Sequence, residues 1–414
     1  MEVVRCSQNV DYSGRNPIAG NNLKDWDIND RLLWCTVLVV ISFACLFVLG
    51  SQSAASYGTY ALGVLVLATN SRWRDVWGLD LIWLVVALLG YLTLSSFWSE
   101  EVRPREIFSI AVRAVLTFTF VIAVAETQLR GRTQRWLGFA LSAVGFATVI
   151  GAFYFYVIEP PWDGRLVGRG QLDNNVVAGL IFAVAAVFSL RLAWSEEQLG
   201  WRVFGSMACA ALITGVAYTG SRNAMMGLFC GVIVYTTARL VTTPQRFFAV
   251  LLPAAIIAVV ALYVLAFSDF AEQLFPRGDS FRFSIWQAAW KEVAESSLLW
   301  GKGILTSDDL VVDGVQFEHP HSMYMSVVYQ GGIIALGLLT LLVVRAISLL
   351  LTRFSDPDAK FALAVLAISL PVYLFDEHEL LDKVGTTWVL FWMPVACALG
   401  VQWRPQPSDT DQLD

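Results

Sequence analysis

Apolar runs long enough to cross a hydrocarbon core as helix, which takes about 17 to 25 residues, recur along nearly the whole of this 414-residue chain. About twelve are read, over 32–50, 56–68, 79–97, 107–125, 136–157, 176–192, 203–218, 224–237, 247–267, 323–344, 361–375 and 384–401. The fold class they dictate is an all-α polytopic membrane protein. Composition agrees: 57% hydrophobic residues, 16 Trp, 26 Phe and a mean hydropathy of +0.60 lie outside the range of a soluble domain. The chain divides into a tail (1–31), nine spans over 32–267 with a polar segment at 158–175, a long polar segment (268–322), three spans over 323–402, and a tail (403–414).

Basic residues resist translocation, so their distribution orients the spans. With the N-terminus inside, one side collects about 17 of the 28 Lys and Arg. Both tails are then cytoplasmic, and 158–175 and 268–322 are external. No cleavable signal peptide is expected, because 1–31 is polar and the first span can act as the anchor. A net charge of -6 and the lack of a basic tract exclude a nucleic-acid partner. Five of the six cysteines fall in spans, and no Cys/His spacing suits a metal.

Chemistry is concentrated in FEHPHSMYMSVVYQGG, Phe317 to Gly332, which carries two of the three histidines. His319 and His321 lie at the mouth of a membrane helix, where water, a lipid head group and a base meet. An imidazole with an ordinary pKa near 6.5 is suited to take a proton from a sugar hydroxyl at neutral pH. Glu318, Ser322 and Tyr324 make the cluster denser than anchoring a helix requires. His378, in DEHELLDK, reads as solvated surface.

Arg165 and Arg169 lie in DGRLVGRGQLDNNVVAG, ahead of Asn174 and Asn175 at the entrance to a span; Arg222 lies in TGSRNAMMG, between two spans. Guanidinium binds phosphate through paired donors and keeps its charge, so these are expected ligands of a lipid diphosphate. Helix N-termini at Asn174 and Ser221 are expected to add backbone N–H donors. The plainer reading, a snorkelling anchor, suits Arg165 and Arg169 as well as binding does. It suits Arg222 less, because external turns usually shed positive charge. Arg113, inside the fourth span, reads as buried or snorkelling, with no role. After Pro276-Arg277-Gly278, Asp279 or Ser280 is expected to cap a helix running to about Glu295. Phe281, Ile285, Ala289 and Val293 form its apolar stripe, and the flanking Trp286 and Trp290 suggest a helix lying in the head-group layer.

Together these segments resemble the O-antigen ligase and polymerase superfamily of bacterial envelope enzymes. That family's pattern is His, then Asn, Ser or Gln, nine residues, Gly, two residues, and Gly, Thr or Tyr. His321, Ser322 and Gly332 match it, and Ala335 departs at the last place. TGSRNAMMG is similar to the family's T-G-S-R-small motif, with Asn223 where Gly is usual. Arg282 with Trp286, ahead of Trp300-Gly301-Lys302-Gly303, is similar to its R-x3-W segment before a Gly-x-Gly. RLVGRGQLDNNVVAG resembles its glycine-rich external segment, with Asn175 replacing a common Pro.

The resemblance implies an inverting, metal-independent glycosyl transfer without cofactors, at the periplasmic face of the bacterial inner membrane. Polysaccharide on undecaprenyl diphosphate would move to a sugar hydroxyl of lipid A-core. His321 would be the general base or the group orienting the acceptor, and Arg222 and Arg282 would hold the diphosphate. Arg165, Arg169, His319, Asn174, Asn175, Ser322 and Tyr324 would surround the substrates. The alternative is an O-antigen or exopolysaccharide polymerase of the same superfamily. A protein-glycosylating member is least expected, since the chain stops soon after its last span. A lipid-linked glycan transporter predicts charged or broken helices near the midplane and an internal repeat, and the sequence suggests neither. A non-catalytic assembly subunit is the remaining rival.

Overall fold

The computed structural model describes residues 28–69, 72–100, 102–129, 131–253, 282–307, 309–312, 314–376 and 379–404. Most of the ninth expected span, the breaker and cap at 276–280, Phe281 and His378 lie outside the described residues, as do most of both tails.

Helix α1 (Ile28–Phe43) continues through a π-turn, and α2 (Gln52–Thr69), a short α3 (Trp73–Trp77), α4 (Asp80–Ser95), α5 (Pro104–Thr127) and α6 (Gly131–Ile158) follow. Next come α7 (Asn175–Ser195), α8 (Leu199–Thr219), α9 (Arg222–Leu240) and a helical stretch at 244–253. After the undescribed stretch stand α10 (Arg282–Ser296) and an antiparallel hairpin of β1 (Leu310–Val312) and β2 (Val315–Phe317), with Leu310 opposite Phe317. Last are α11 (Met323–Thr352), α12 (Pro357–Val372) and α13 (Met393–Trp403). Eight of the described helices are long and apolar enough to cross a membrane. The chain is an all-α polytopic membrane protein.

Ion pairs sort the helix ends into two layers. In one, Arg31 at the start of α1 binds Glu126 and the Thr69 carbonyl, Arg404 binds Asp356, Asp358 and the Gln128 carbonyl, Arg191 binds Asp358, and Arg345 binds Asp80. The other layer holds the histidine segment and the arginines at 165, 169, 222 and 282. Gly227 and Gly231 of α9 face Ile368 and Val372 of α12 at close range. Small residues let two membrane helices approach in this way, and here they bring the start of α9 beside the end of α12.

Two features depart from the sequence-based expectation. The stripe of α10 does not enter the head-group layer: Ile285, Ala289 and Val293 are fully buried against Leu310, Val312, Val328 and Tyr329. The hairpin, which no periodicity suggested, supplies the apolar cover, and Phe283 and Trp290 face outward instead. The second departure is in α11, which is broken at Gly332 (φ 65°, ψ −164°). The turn at Trp300–Gly303 inserts there: the amides of Lys302 and Gly303 donate to the Tyr329 and Gln330 carbonyls, and those of Ile333 and Ile334 donate to the Leu298 and Leu299 carbonyls. Two carbonyls and two amides at the break are thereby paired, as burial requires. The break is level with the end of α4, since Ile304 N–H donates to Ser95 Oγ next door. A side chain at Gly332 would strike the Leu299 carbonyl, and the backbone region is essentially reserved for glycine. Gly332→Ala is expected to cost about 1–3 kcal/mol from backbone strain alone, read as a lowered thermal midpoint in detergent.

Candidate active site

Two segments distant in sequence meet at the histidine loop because α10 grips both. Arg282 Nε donates to the Phe375 carbonyl (3.1 Å), just past the end of α12. One turn along, Trp286 Nε1 donates to the Pro320 carbonyl (3.0 Å), between the histidines, and its ring lies 6.1 Å from that of Phe375. From the loop itself, Met323 N–H (3.0 Å) and Ser322 Oγ (3.3 Å) both donate to the Tyr373 carbonyl.

Inside this clasp His321 adopts φ 51°, the one positive φ outside glycine among the described residues. Such a conformation costs energy and persists where its surroundings enforce it. Its N–H donates to His319 Nδ1 (3.2 Å), and the two rings are 4.1 Å apart. His319, accepting at Nδ1, carries its proton on Nε2 when neutral.

Burial pushes the His321 imidazole below its ordinary 6.5; Asp376 pulls it back up, Arg282 pushes it down and Glu318 pulls it up. The net is downward, so the ring is neutral and basic at pH 7. The folded pKa lies below the unfolded one, so this group's contribution to stability is fully present above about pH 6.5 and is lost as pH falls through the folded value. A reaction needing the neutral ring should follow the same direction: initial rates flat near pH 7 and falling on the acid side, with the midpoint below 6.5.

The other expected residues fall on the same layer in distinct roles. Arg222 is exposed at the first turn of α9, where Ser221 Oγ caps the helix by accepting from Ala224 N–H (3.2 Å). Arg165 reaches the same turn: Leu166 N–H donates to the Tyr218 carbonyl (2.9 Å), and the Arg165 side chain lies over Gly220. Arg169 places its guanidinium 3.5 Å over the Phe155 ring, a cation–π contact. Asn174 Oδ1 accepts from Val176 and Val177 N–H, and Asn175 Nδ2 donates to the Thr219 carbonyl (3.1 Å). Ser322 caps α11, and Tyr324 OH donates to the Leu370 carbonyl (2.9 Å). At both helix starts the residue's own side chain thus takes up part of the backbone donors expected there: Val176 and Val177 N–H at Asn174, and Ala224 N–H at Ser221.

Sequence reasoning passed over two elements of this layer. One is Asp376 with the Tyr373 and Phe375 carbonyls; main-chain acceptors leave no side-chain signal. The other is Lys302, whose ammonium donates to Glu292 (3.1 Å) and Tyr329 OH (3.1 Å) and lies 3.2 Å from Glu100. Burial opposes its charge, but the Tyr329 and Glu292 hydrogen bonds outweigh that and raise its pKa. This knot ties α10, the helix that Arg282 begins, to α11. Lys302→Met is expected to cost about 1–3 kcal/mol, since Glu292 and Tyr329 each lose a partner. A thermal melt of the detergent-solubilised protein checks it.

An O-antigen ligase family model matches residues 207–341. That stretch runs from within α8 into α11 and contains Arg222, Arg282, His319, His321 and Gly332. An O-antigen ligase of Pseudomonas aeruginosa is 28% identical to this chain over 339 residues, which cover 80% of each protein.

Proposed function

The chain belongs to the O-antigen ligase superfamily, and we propose that it moves O-antigen polysaccharide from undecaprenyl diphosphate to a sugar hydroxyl of lipid A-core. The observation that carries this reading is the pairing of a neutral, half-buried His321 with Arg282. The arginine is fixed through Nε, and its two terminal nitrogens make no hydrogen bond among the described residues. A base and an anchored fork of donors are thus held on one clasp, an arrangement suited to transfer from a diphosphate.

In the proposed step the acceptor oxygen attacks the anomeric carbon as its proton passes to His321. The bond from that carbon to the diphosphate breaks, and its electron pair leaves with undecaprenyl diphosphate. A single displacement inverts the anomeric centre. Negative charge grows on the leaving diphosphate, and Arg282 and Arg222 stabilise it there, where fixed cations in a dry cleft are most effective. Arg165, beside Arg222, and His319, in contact with His321, are the secondary candidates. Asn174, Asn175, Ser322 and Tyr324 act by holding the backbone around them. The active layer faces the periplasm and both termini the cytoplasm; the Lys and Arg bias supports that orientation.

Expression in a bacterial strain lacking its own ligase tests the reading. Restoration of polymer on lipopolysaccharide is expected, and restoration should be lost in Arg282→Ala. Longer lipid-linked polymer with none on lipopolysaccharide would identify a polymerase. No change in either product would contradict transfer.

A further inference from the structure

Away from the histidine loop, the same layer holds two cavities that share two residues, Ser109 and Arg113. The first, about 220 Å³, lies between α2, α5 and the segment before α13 and is lined by three cations, Arg105, Arg113 and Lys383, against one carboxylate, Asp382. Arg113 is spoken for by Asp382 (3.0 Å), although its Nε is buried without a partner among the described residues. Arg105 and Lys383 are exposed, and neither forms an ion pair among the described residues. Uncompensated cations facing one cavity call for an anion. The exposed, membrane-level side chains of Phe108 and Tyr60 form its outer wall, so the anion can arrive attached to a lipid.

The second cavity, about 270 Å³, has a different lining: Glu106, Ser109, Thr306, Gln330 and Glu379 with Arg113. Gln330 is 7% exposed, and its side-chain amide makes no hydrogen bond among the described residues. The amide opens onto the cavity, where its donor and acceptor are available to a ligand. Closely spaced carboxylates, hydroxyls and an amide match the donors and acceptors of a sugar ring.

We propose that this twin cavity binds the head group of a phosphorylated membrane glycolipid, with phosphate on Arg105, Arg113 and Lys383 and sugar hydroxyls against Gln330, Ser109 and Thr306. The site is separate from the cations at Arg222 and Arg282. A transferase joining two lipid-borne glycans must hold two such head groups at once, and this choice of ligand class rests on the transfer reading above. Gln330 and His321 belong to one continuous segment, nine residues apart.

The test is binding to the full-length protein in detergent, measured by thermophoresis with no transfer taking place. The probes are lipid A-core carrying its phosphates, the same lipid after phosphatase treatment, and undecaprenyl phosphate. Wild type is expected to bind the phosphorylated lipid A-core at least about 10-fold more tightly than the dephosphorylated one. The surface double variant Arg105→Gln/Lys383→Gln should lose that preference, and Arg222→Ala should keep it. Should undecaprenyl phosphate be the lipid whose binding the double variant loses, the site stands and belongs to the donor. Equal wild-type binding of all three lipids, or full preference in the double variant, overturns it. Because binding is read without turnover, failure of this site leaves the transfer assay unaffected, and failure of transfer leaves this result standing.

Discussion

Replacing His321 with alanine is expected to lower glycan transfer by about 10²- to 10⁴-fold, the range for loss of a general base, with the protein still inserted at normal levels. The loop around it is held by contacts that do not involve its imidazole: Trp286 to the Pro320 carbonyl, Met323 N–H and Ser322 Oγ to the Tyr373 carbonyl. Alanine inherits the positive φ, so His321→Asn is the companion variant. Asparagine tolerates that backbone well and offers an amide, yet takes no proton at neutral pH. If His321 is the base, both variants lose transfer. If it only orients the acceptor, asparagine should retain a large share of the rate and show no acid limb in its pH profile. Full activity in both variants would remove His321 from the mechanism.

The arginines are expected to come next in size. Loss of Arg282 or Arg222 should lower the maximal rate by about 10²- to 10³-fold, as when one donor to a developing anion is deleted, with a smaller effect on donor affinity. Lysine should not rescue either well, because a point charge replaces a planar fork. Arg282 needs a structural control, since it also anchors α10 to the Phe375 carbonyl. Trp286→Phe removes the neighbouring anchor to Pro320 and spares the charge. A modest loss there beside a large one in Arg282→Lys assigns the effect to phosphate chemistry. Equal losses would assign it to the position of α10.

Legibility in the sequence followed the range of the forces involved. Spans were readable because crossing a membrane imposes length and apolarity on each helix by itself; α7, apolar over 21 residues from Asn175 to Ser195, is the plainest case. The α10 stripe was readable as a period, but its direction was not, because the hairpin covering it lies about 20 residues away and carries only two three-residue strands. Gly332 was found as a motif position without its cause. The cause is tertiary: the Trp300–Gly303 turn enters the helix there, and only glycine fits. Arg113 looked idle because its partner, Asp382, is 269 residues distant. His321 and Arg222 stood out because polar residues at the end of a membrane helix have few bland uses, while the carbonyls that fix the loop leave no trace in the side chains.

The most direct measurement is transfer by the purified protein, incubated with a lipid-diphosphate-linked glycan, with or without core lipopolysaccharide, in EDTA. Glycan on the core, made by wild type and absent with His321→Asn, is the expected result. Longer lipid-linked glycan without core, or no product in either tube, would contradict a ligase acting through this site.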